Sequence, residues 1–250
     1  MMERTRQASP RLKARIAGAL YLIVIVTAVF AEIFVRGRLL VRGDAAVTAA
    51  NILGHEFLYR LGGAADLINL ACDTALALLF YELLKPVSRS LSLLAAFFRL
   101  MHVAILAVST LGHFAPLIFL GGARDLNVFS PEQLQELALV SLRLHGQGYH
   151  ITLVFFGFSS LLLGYLICRS IFLPRIFGVL LAVAGSGYLI IGFANFIAPA
   201  FRSRISLILL PSGIAELLLT LWLLVMGVNG TRWKEQAREA GMPGHLKEAE

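Results

Sequence analysis

The sequence predicts an all-α integral membrane protein built as a bundle of six transmembrane helices. Hydrophobic residues make up 58% of the chain and charged residues only 15%, whereas a soluble domain has about 45–50% and about 25%. The apolar residues are concentrated in runs of about 20 residues, the length that crosses the hydrocarbon core of a bilayer. The polar stretches between the runs are too short for a separate soluble domain. We therefore expect one transmembrane domain over residues 16–228, between a basic N-tail (1–15) and a charged C-tail (229–250).

The first apolar run extends from Ile16 to Val35 and follows the basic N-tail. A secretory signal peptide has the same order of charges and apolar residues, but its apolar core is only about 7–15 residues long. The greater length favours a helix that is retained, and cleavage after Ala31 remains the alternative.

The second and third runs form a predicted helical hairpin. They extend from Phe57 to Leu84 and from Leu91 to Leu120, and the short connection between them contains Pro86. Proline cannot continue the second helix, because it lacks a backbone N–H. Two helices joined this closely must be antiparallel neighbours.

A helix-start signal precedes the fourth run. In the segment 130–133, serine is the expected cap, proline occupies the first helical position and glutamine closes a capping box. We expect a short interfacial helix here, leading into the membrane. The remaining spans are predicted from Gly146 to Cys168, from Phe172 to Ile197 and from Ile205 to Val228.

The fifth predicted span carries a stripe of small residues. Gly178, Ala182 and Ser186 are spaced by four and therefore lie on one helix face. Small residues let a neighbouring helix approach closely. The stripe is a candidate surface for oligomerisation.

The distribution of Lys and Arg predicts the orientation in the membrane. The two tails and the turns around Lys85 and Arg175 hold more of these residues than the opposite side, where Arg36, Arg38 and Arg42 follow the first span. Positive residues favour the cytoplasmic side. We therefore expect both termini in the cytoplasm and the protein in the cytoplasmic (inner) membrane.

The net charge of +7 does not indicate nucleic acid as a partner. A nucleic-acid-binding protein clusters its basic residues on one face, whereas here they flank the apolar runs. The lipid bilayer is the expected partner, together with a small-molecule or ion ligand.

Polar residues inside the second and third spans are the first candidates for function. Asp66, Asn69 and Asp73 share one face of the second span at 100° per residue. Arg99 and His102 share a stripe of the third. A charge at the centre of a bilayer costs roughly 2.5–3.5 kcal/mol or more, so each needs a partner or a wet cavity.

The hairpin allows the depths of these residues to be compared. Asp73 and Arg99 lie equally far from Pro86 along the chain, which predicts an ion pair at one depth. His102 lies one turn beyond Arg99 and should face the neighbourhood of Asn69. By the same comparison, Arg60 should lie level with His113 near the outer surface, while Glu32 and Glu82 should be interfacial.

Glu216 lies in the middle of the sixth predicted span, five residues after Pro211. A proline inside a helix frees the carbonyl four residues earlier and kinks the helix. A carboxylate beside such a kink fits a transporter, and a protonated glutamic acid bonded to a neighbouring helix explains it equally well. The candidate site residues are then Asp66, Asn69, Asp73, Arg99, His102 and Glu216.

Three histidines raise the alternative of a metal or haem site. His113 lies near one end of the third span, and His145 and His150 lie at the start of the fourth. Five residues place His150 about 140° away from His145, so a regular helix cannot direct both at one ion. Cys72 and Cys168 lack the spacing of a zinc or redox motif. No metal and no cofactor is predicted.

Several short motifs occur along the chain in a characteristic order and spacing. They are Arg15-Ile16-Ala17-Gly18, Gly43-Asp44-Ala45-Ala46, Leu144-His145-Gly146, Gly164-Tyr165-Leu166, Phe172-Leu173-Pro174-Arg175 and Ala215-Glu216. Together they resemble a bacterial and archaeal membrane family catalogued as domain of unknown function 4386. The resemblance covers roughly residues 10–228. It implies a prokaryotic polytopic membrane protein and transfers no catalytic or binding residue.

Three functions remain open from the sequence. The first is a small carrier, channel or ligand-binding protein with a central polar pocket. The second is a structural or regulatory membrane subunit whose buried charges only fix packing. The third is an intramembrane, metal-assisted enzyme that uses His113, His145 or His150 with a carboxylate. Neither a phosphate-binding loop nor a nucleophile elbow occurs in the sequence.

Overall fold

The computed structural model describes residues 9–121, 126, 128–198 and 209–242. Helices make up nearly all of these residues, and no strand occurs within the described ranges. The helices are α1 (Pro10–Leu39), α2 (Ala45–Gly54), α3 (Glu56–Leu84), α4 (Arg89–Leu120), α5 (Pro131–Arg169), α6 (Arg175–Ile197), α7 (Leu209–Val225) and α8 (Gly230–Glu239).

Five helices, α1, α3, α4, α5 and α6, are long and apolar enough to cross a membrane. The described part of α7 has 17 residues, and it meets the same test only together with α8, which is bent away by 100°. The chain is therefore a multi-pass helical membrane protein. Its length and composition agree with the six spans expected from the sequence.

The six apolar helices form a closed ring. Each packs against its neighbour in the order α1, α3, α4, α5, α6, α7, and α7 returns to α1. The tight connection between α3 and α4 confirms the predicted hairpin, and Ser88 caps α4 by accepting a hydrogen bond from the Leu91 N–H at 3.4 Å. This ring gives the helices a shared interior, where the buried polar groups lie.

The last part of α1 is a π-helix over Phe30–Arg36. A π-helix closes its hydrogen bonds over five residues, which rotates the following side chains relative to a regular α-helix, and such segments are frequent at functional sites. Here it buries Arg36 together with Ala31 and Val35. Arg36, which the sequence predicts in the connection after the first span, is therefore helical and buried.

The predicted helix start at Ser130 is confirmed. The Ser130 hydroxyl accepts from the Gln133 N–H, and the Gln133 side chain accepts from the Ser130 N–H. The interfacial segment is not a separate helix, because α5 continues without a break for 39 residues, about 58 Å at 1.5 Å per residue. A short separate helix occurs instead as α2, where Asp44 accepts from the Val47 N–H at 2.9 Å.

Helices α5 and α6 touch through glycines. A Cβ atom placed on Gly164 would lie 2.7 Å from the carbonyl oxygen of Gly178, and one on Gly185 would lie 2.8 Å from that of Gly157. Gly178, one residue of the small-residue stripe, therefore packs against α5 of the same chain, while Ser186 of the stripe is exposed. Oligomerisation through this stripe remains a prediction.

Helix α8 docks against one end of the bundle. Trp233 is buried there and donates its indole N–H to the Leu83 carbonyl at 2.8 Å. At the same end Lys13 forms an ion pair with Glu82, which joins α1 to α3. We call this the basic end; it contains the start of α1, the α3–α4 turn, the α5–α6 turn and α8.

Candidate functional site

The predicted ion pair between Asp73 and Arg99 is present in the interior of the ring. Arg99 donates to Asp73 Oδ1 from Nε at 2.8 Å and from Nη2 at 2.5 Å. Both residues are 1% exposed. The pair joins α3 to α4 at the same depth.

Aromatic rings surround the Arg99 guanidinium. Its central carbon lies 5.0, 5.6 and 5.1 Å from the ring centres of Tyr21, Phe80 and Phe156. Such cation–π contacts stabilise a desolvated cation. The narrow space beside Arg99, between α3, α4 and α5, does not admit a water molecule.

His102 extends this arrangement toward α5. Its Nδ1 lies 3.3 Å from the Thr152 carbonyl oxygen, and a carbonyl only accepts, so Nδ1 carries the hydrogen. Its Nε2 lies 3.9 Å from Asp73 Oδ2. That carboxylate oxygen accepts no hydrogen bond from the described residues.

Glu216 completes the arrangement from α7. It is buried, and its carboxyl group interacts electrostatically with Tyr188, Arg99 and Tyr21. One carboxyl oxygen, Oε1, has no partner within the part of the chain that the structure describes. We call the set Tyr21, Asp73, Arg99, His102, Tyr188 and Glu216 the Arg99 cluster.

The helical environment of Glu216 is only partly described. Pro211 lies in the first described turn of α7. The carbonyl that the predicted kink would free is near Leu207, which lies outside the described residues.

Asn69 makes its hydrogen bonds to α1, and that His102 faces its neighbourhood stays a prediction. It donates to the Val24 carbonyl at 2.8 Å and to the Thr27 hydroxyl at 3.1 Å, both on α1. Asn69 therefore fixes α3 against α1, because an amide and a hydroxyl satisfy each other in an apolar surrounding.

Asp66 belongs to a second cluster, nearer the end of the bundle opposite the basic end. Arg36 donates to Asp66 Oδ2 from Nη1 at 2.7 Å and to Oδ1 from Nη2 at 3.0 Å. Its Nη2 also lies 3.0 Å from Glu32, whose side chain is 40% exposed. Asp66 precedes Asp73 by two helical turns, about 10 Å along the axis.

His113 joins this second cluster from α4. The His113 ring stacks on Tyr59 with 4.2 Å between ring centres, and its Nδ1 lies 3.3 Å from Arg36 Nη1. Since the guanidinium only donates, Nδ1 accepts and the imidazole is neutral. Arg60, the residue after Tyr59, therefore lies level with His113 as predicted, but its side chain pairs with Glu56 on the exposed surface of α3.

His145 repeats the geometry of His102. Its Nδ1 lies 2.8 Å from the Ser109 carbonyl oxygen, and its Nε2 lies 4.0 Å from Glu32 Oε1. Among residues 9–121, 126, 128–198 and 209–242, Nε2 has no hydrogen-bond partner. The Arg36 cluster is then Glu32, Arg36, Asp66, His113 and His145.

The histidines do not assemble a recognisable metal site. His113 and His145 lie 6.0 Å apart between ring centres, while the ring of His150 contacts Tyr149. No group of three His, Cys, Asp or Glu side chains among the described residues could hold a metal ion. The metal-assisted enzyme receives no support from this geometry.

Sequence reasoning missed three members of the clusters. Arg36 was assigned to a connection, although its spacing of four from Glu32 is that of a helical ion pair. Tyr21 and Tyr188 lie in the middle of apolar runs, where a phenol hydroxyl needs a partner. No feature of the sequence connects either tyrosine with Glu216, because their proximity depends on how α1 and α6 pack against α7.

The chain is similar to proteins without an assigned activity. The family described as domain of unknown function (DUF4386) matches residues 16–227. An uncharacterized protein of Archaeoglobus fulgidus is 28% identical over 155 residues, which is 62% of this chain and 76% of that protein. No solved structure matches the chain.

Proposed function

Because this chain belongs to the family described as domain of unknown function (DUF4386), a description that names no activity, we propose its function from the buried clusters. The protein is a small membrane carrier that binds and releases a proton at the Arg99 cluster. The observation on which this rests is the buried carboxyl group of Glu216, of which one oxygen, Oε1, has no hydrogen bond among the described residues. Glu216 is the exchanging group, and Asp73 and Arg99 form its fixed electrostatic surroundings.

The charges of the cluster support proton binding. Arg99 is the cation of the cluster, and the hydrogen bonds that it makes among the described residues go to Asp73. Glu216 is therefore a surplus carboxyl group. An uncompensated charge at this depth costs at least a few kcal/mol, and a proton on Glu216 removes it.

Two carboxyl oxygens of the cluster also support proton binding. Asp73 Oδ2 and Glu216 Oε1 lack partners in the described part of the chain. A buried polar atom without a partner costs about 1–3 kcal/mol, and more if it is charged. A proton on Glu216 removes that charge.

The Arg36 cluster supports an entry route from the end of the bundle opposite the basic end. It has the same composition, one arginine against two carboxyl groups, and His145 Nε2 lies 4.0 Å from the partly exposed Glu32. Protonation of His145 would turn this gap into an ion pair. The step of about 10 Å between the clusters exceeds any hydrogen bond, so passage between them requires a movement of the helices.

Infrared difference spectroscopy tests proton binding directly. Spectra of the lipid-reconstituted protein are compared at acidic and alkaline pH, and a protonated carboxylic acid band is expected that titrates. The band should be lost in Glu216→Gln and kept in Glu56→Gln, a control that removes an exposed carboxyl group of α3. An unchanged band in Glu216→Gln would contradict the proposal.

Transport is tested in sealed liposomes that contain a pH-sensitive dye. A potassium diffusion potential should drive proton uptake with the parent protein and with Glu56→Gln, but not with Glu216→Gln. Equal uptake by all three proteins, or none by any of them, would overturn the carrier.

A structural or regulatory subunit is the second candidate. The buried ion pair of Asp73 and Arg99 favours it, because such a pair can fix the register of α3 against α4. This candidate is distinguished by Glu216→Gln, which should then leave proton uptake and the infrared band unchanged while altering only stability.

A further inference from the structure

A cavity of about 590 Å³ opens at the basic end of the bundle. It lies where the start of α1, the α5–α6 turn, the end of α7 and the start of α8 meet. Small-molecule sites have volumes of about 300–1,000 Å³. This cavity is separate from both buried clusters, and an inference from it does not depend on the proposed carrier function.

The charged residues that line this cavity are all basic. Arg11 and Arg232 are in the lining, and no Asp or Glu is among its described residues. Neither arginine forms an ion pair within the described ranges, since Arg232 donates only to the Ile171 carbonyl, at 3.4 Å. Gly227 lets Arg11 come close, because a Cβ atom there would lie 3.0 Å from Arg11 Cγ.

The remaining wall of the cavity is apolar. Phe172 and Trp222 line it, and Met226 continues its wall on the exposed surface of the bundle. Tryptophan is typical of the interface between lipid head groups and acyl chains. A ligand here meets two cations beside an apolar surface that faces the bilayer.

We propose that this cavity binds the head group of an anionic phospholipid, with its phosphate between Arg11 and Arg232 and its acyl chains along Trp222 and Met226. Arginine suits a phosphate because its planar group donates several N–H bonds. A lipid fits this place better than a soluble phosphate compound, because the apolar wall continues onto the membrane-facing surface.

Quenching of tryptophan fluorescence by brominated lipids tests the site. The chain has 2 tryptophans, of which Trp222 lines the cavity and Trp233 lies outside its lining. In nanodiscs of phosphatidylcholine, dibrominated phosphatidylglycerol should quench at lower mole fractions than dibrominated phosphatidylcholine. This preference should disappear in Trp222→Phe and remain in Trp233→Phe.

Arginine variants show whether the cavity itself selects the charge. The double change Arg11→Gln with Arg232→Gln should weaken the preference by roughly fivefold for each arginine, as expected for a basic residue near anionic lipid. The matched control is Arg143→Gln with Arg238→Gln, which removes two exposed arginines outside the cavity. The control should keep the preference of the parent protein.

Three results would overturn the proposal. The first is equal quenching by the two brominated lipids in the parent protein. The second is an equal loss of preference in the control variant, which would indicate general surface charge. The third is a change of Trp222 emission on adding inorganic phosphate without any head-group preference, which would make the ligand a free phosphate.

Discussion

Asp73 and Arg99 face each other from neighbouring helices, with Arg99 Nε 2.8 Å from Asp73 Oδ1, at equal distances along the chain from Pro86. Because the turn between α3 and α4 is short, residues equally far from it along the chain lie at the same depth in the two helices. A single charge at this depth would be destabilising by several kcal/mol. The pair therefore fixes the register of α3 and α4 while it supplies a fixed dipole beside Glu216.

Replacing one residue of this pair should lower the free energy of unfolding more than replacing both. We expect Asp73→Asn and Arg99→Met each to lower the free energy of unfolding by about 3–5 kcal/mol, because each leaves an unpaired polar group in the interior. The double variant should recover much of the loss. Unfolding in bicelles with increasing denaturing detergent measures all three.

The exposed pair of Glu56 and Arg60 is the matched control for this cycle. Their side chains are 47% and 59% exposed and lie one helical turn apart. Their single and double variants should change the free energy of unfolding by at most about 0.5 kcal/mol. If Asp73→Asn and Arg99→Met behaved like these controls, the buried pair would have no structural role.

Arg36 should be as sensitive as Arg99, although it lies near the end of α1. Arg36→Met leaves Asp66 without its two hydrogen bonds, and we expect a loss of about 3–5 kcal/mol in the same unfolding experiment. Arg38→Met is the control, because Arg38 is exposed two residues later and should cost no more than about 0.5 kcal/mol. Equal losses would show that the π-helix does not direct Arg36 inward.

The sequence determined more of the fold than of the site. Runs of about 20 apolar residues predict spans directly, since the hydrocarbon core sets their length, and the hairpin turn allowed Asp73 and Arg99 to be paired. The π-helix was not predictable in this way, because the extra residue in its turn leaves the apolar run unchanged. Tyr21 and Tyr188 were missed because their proximity to Glu216 depends on how α1 and α6 pack against α7, which is a long-range relationship.

The glycine contact between α5 and α6 predicts opposite effects for two alanine substitutions on α5. In Gly164→Ala the new Cβ would lie 2.7 Å from the Gly178 carbonyl oxygen, so the helices must separate, at a cost of about 1–3 kcal/mol. In Gly146→Ala no atom lies within 4 Å of the new Cβ, and alanine favours the helix by up to about 1 kcal/mol. Thermal unfolding measures both, and equal stability of the two variants would contradict the close packing.

The burial of Arg36 strengthens the predicted orientation of the chain. An ion-paired arginine inside the bundle is no longer a loop charge, so the excess of Lys and Arg on the basic end is larger than the sequence alone suggested. We therefore expect the basic end in the cytoplasm. Cysteine labelling tests this in a background where Cys72 and Cys168, the 2 cysteines of the chain, are changed to serine.

Two positions at opposite ends of the bundle serve as probes. Val128 is 86% exposed in the connection between α4 and α5, and Ala240 is exposed after α8. On intact cells a membrane-impermeant maleimide should label Val128→Cys, because that connection faces outward. Ala240→Cys should react only after the cells are permeabilised. The reverse pattern would place both tails outside the cell. It would contradict the predicted orientation, which depends on Lys and Arg being more frequent on the cytoplasmic side.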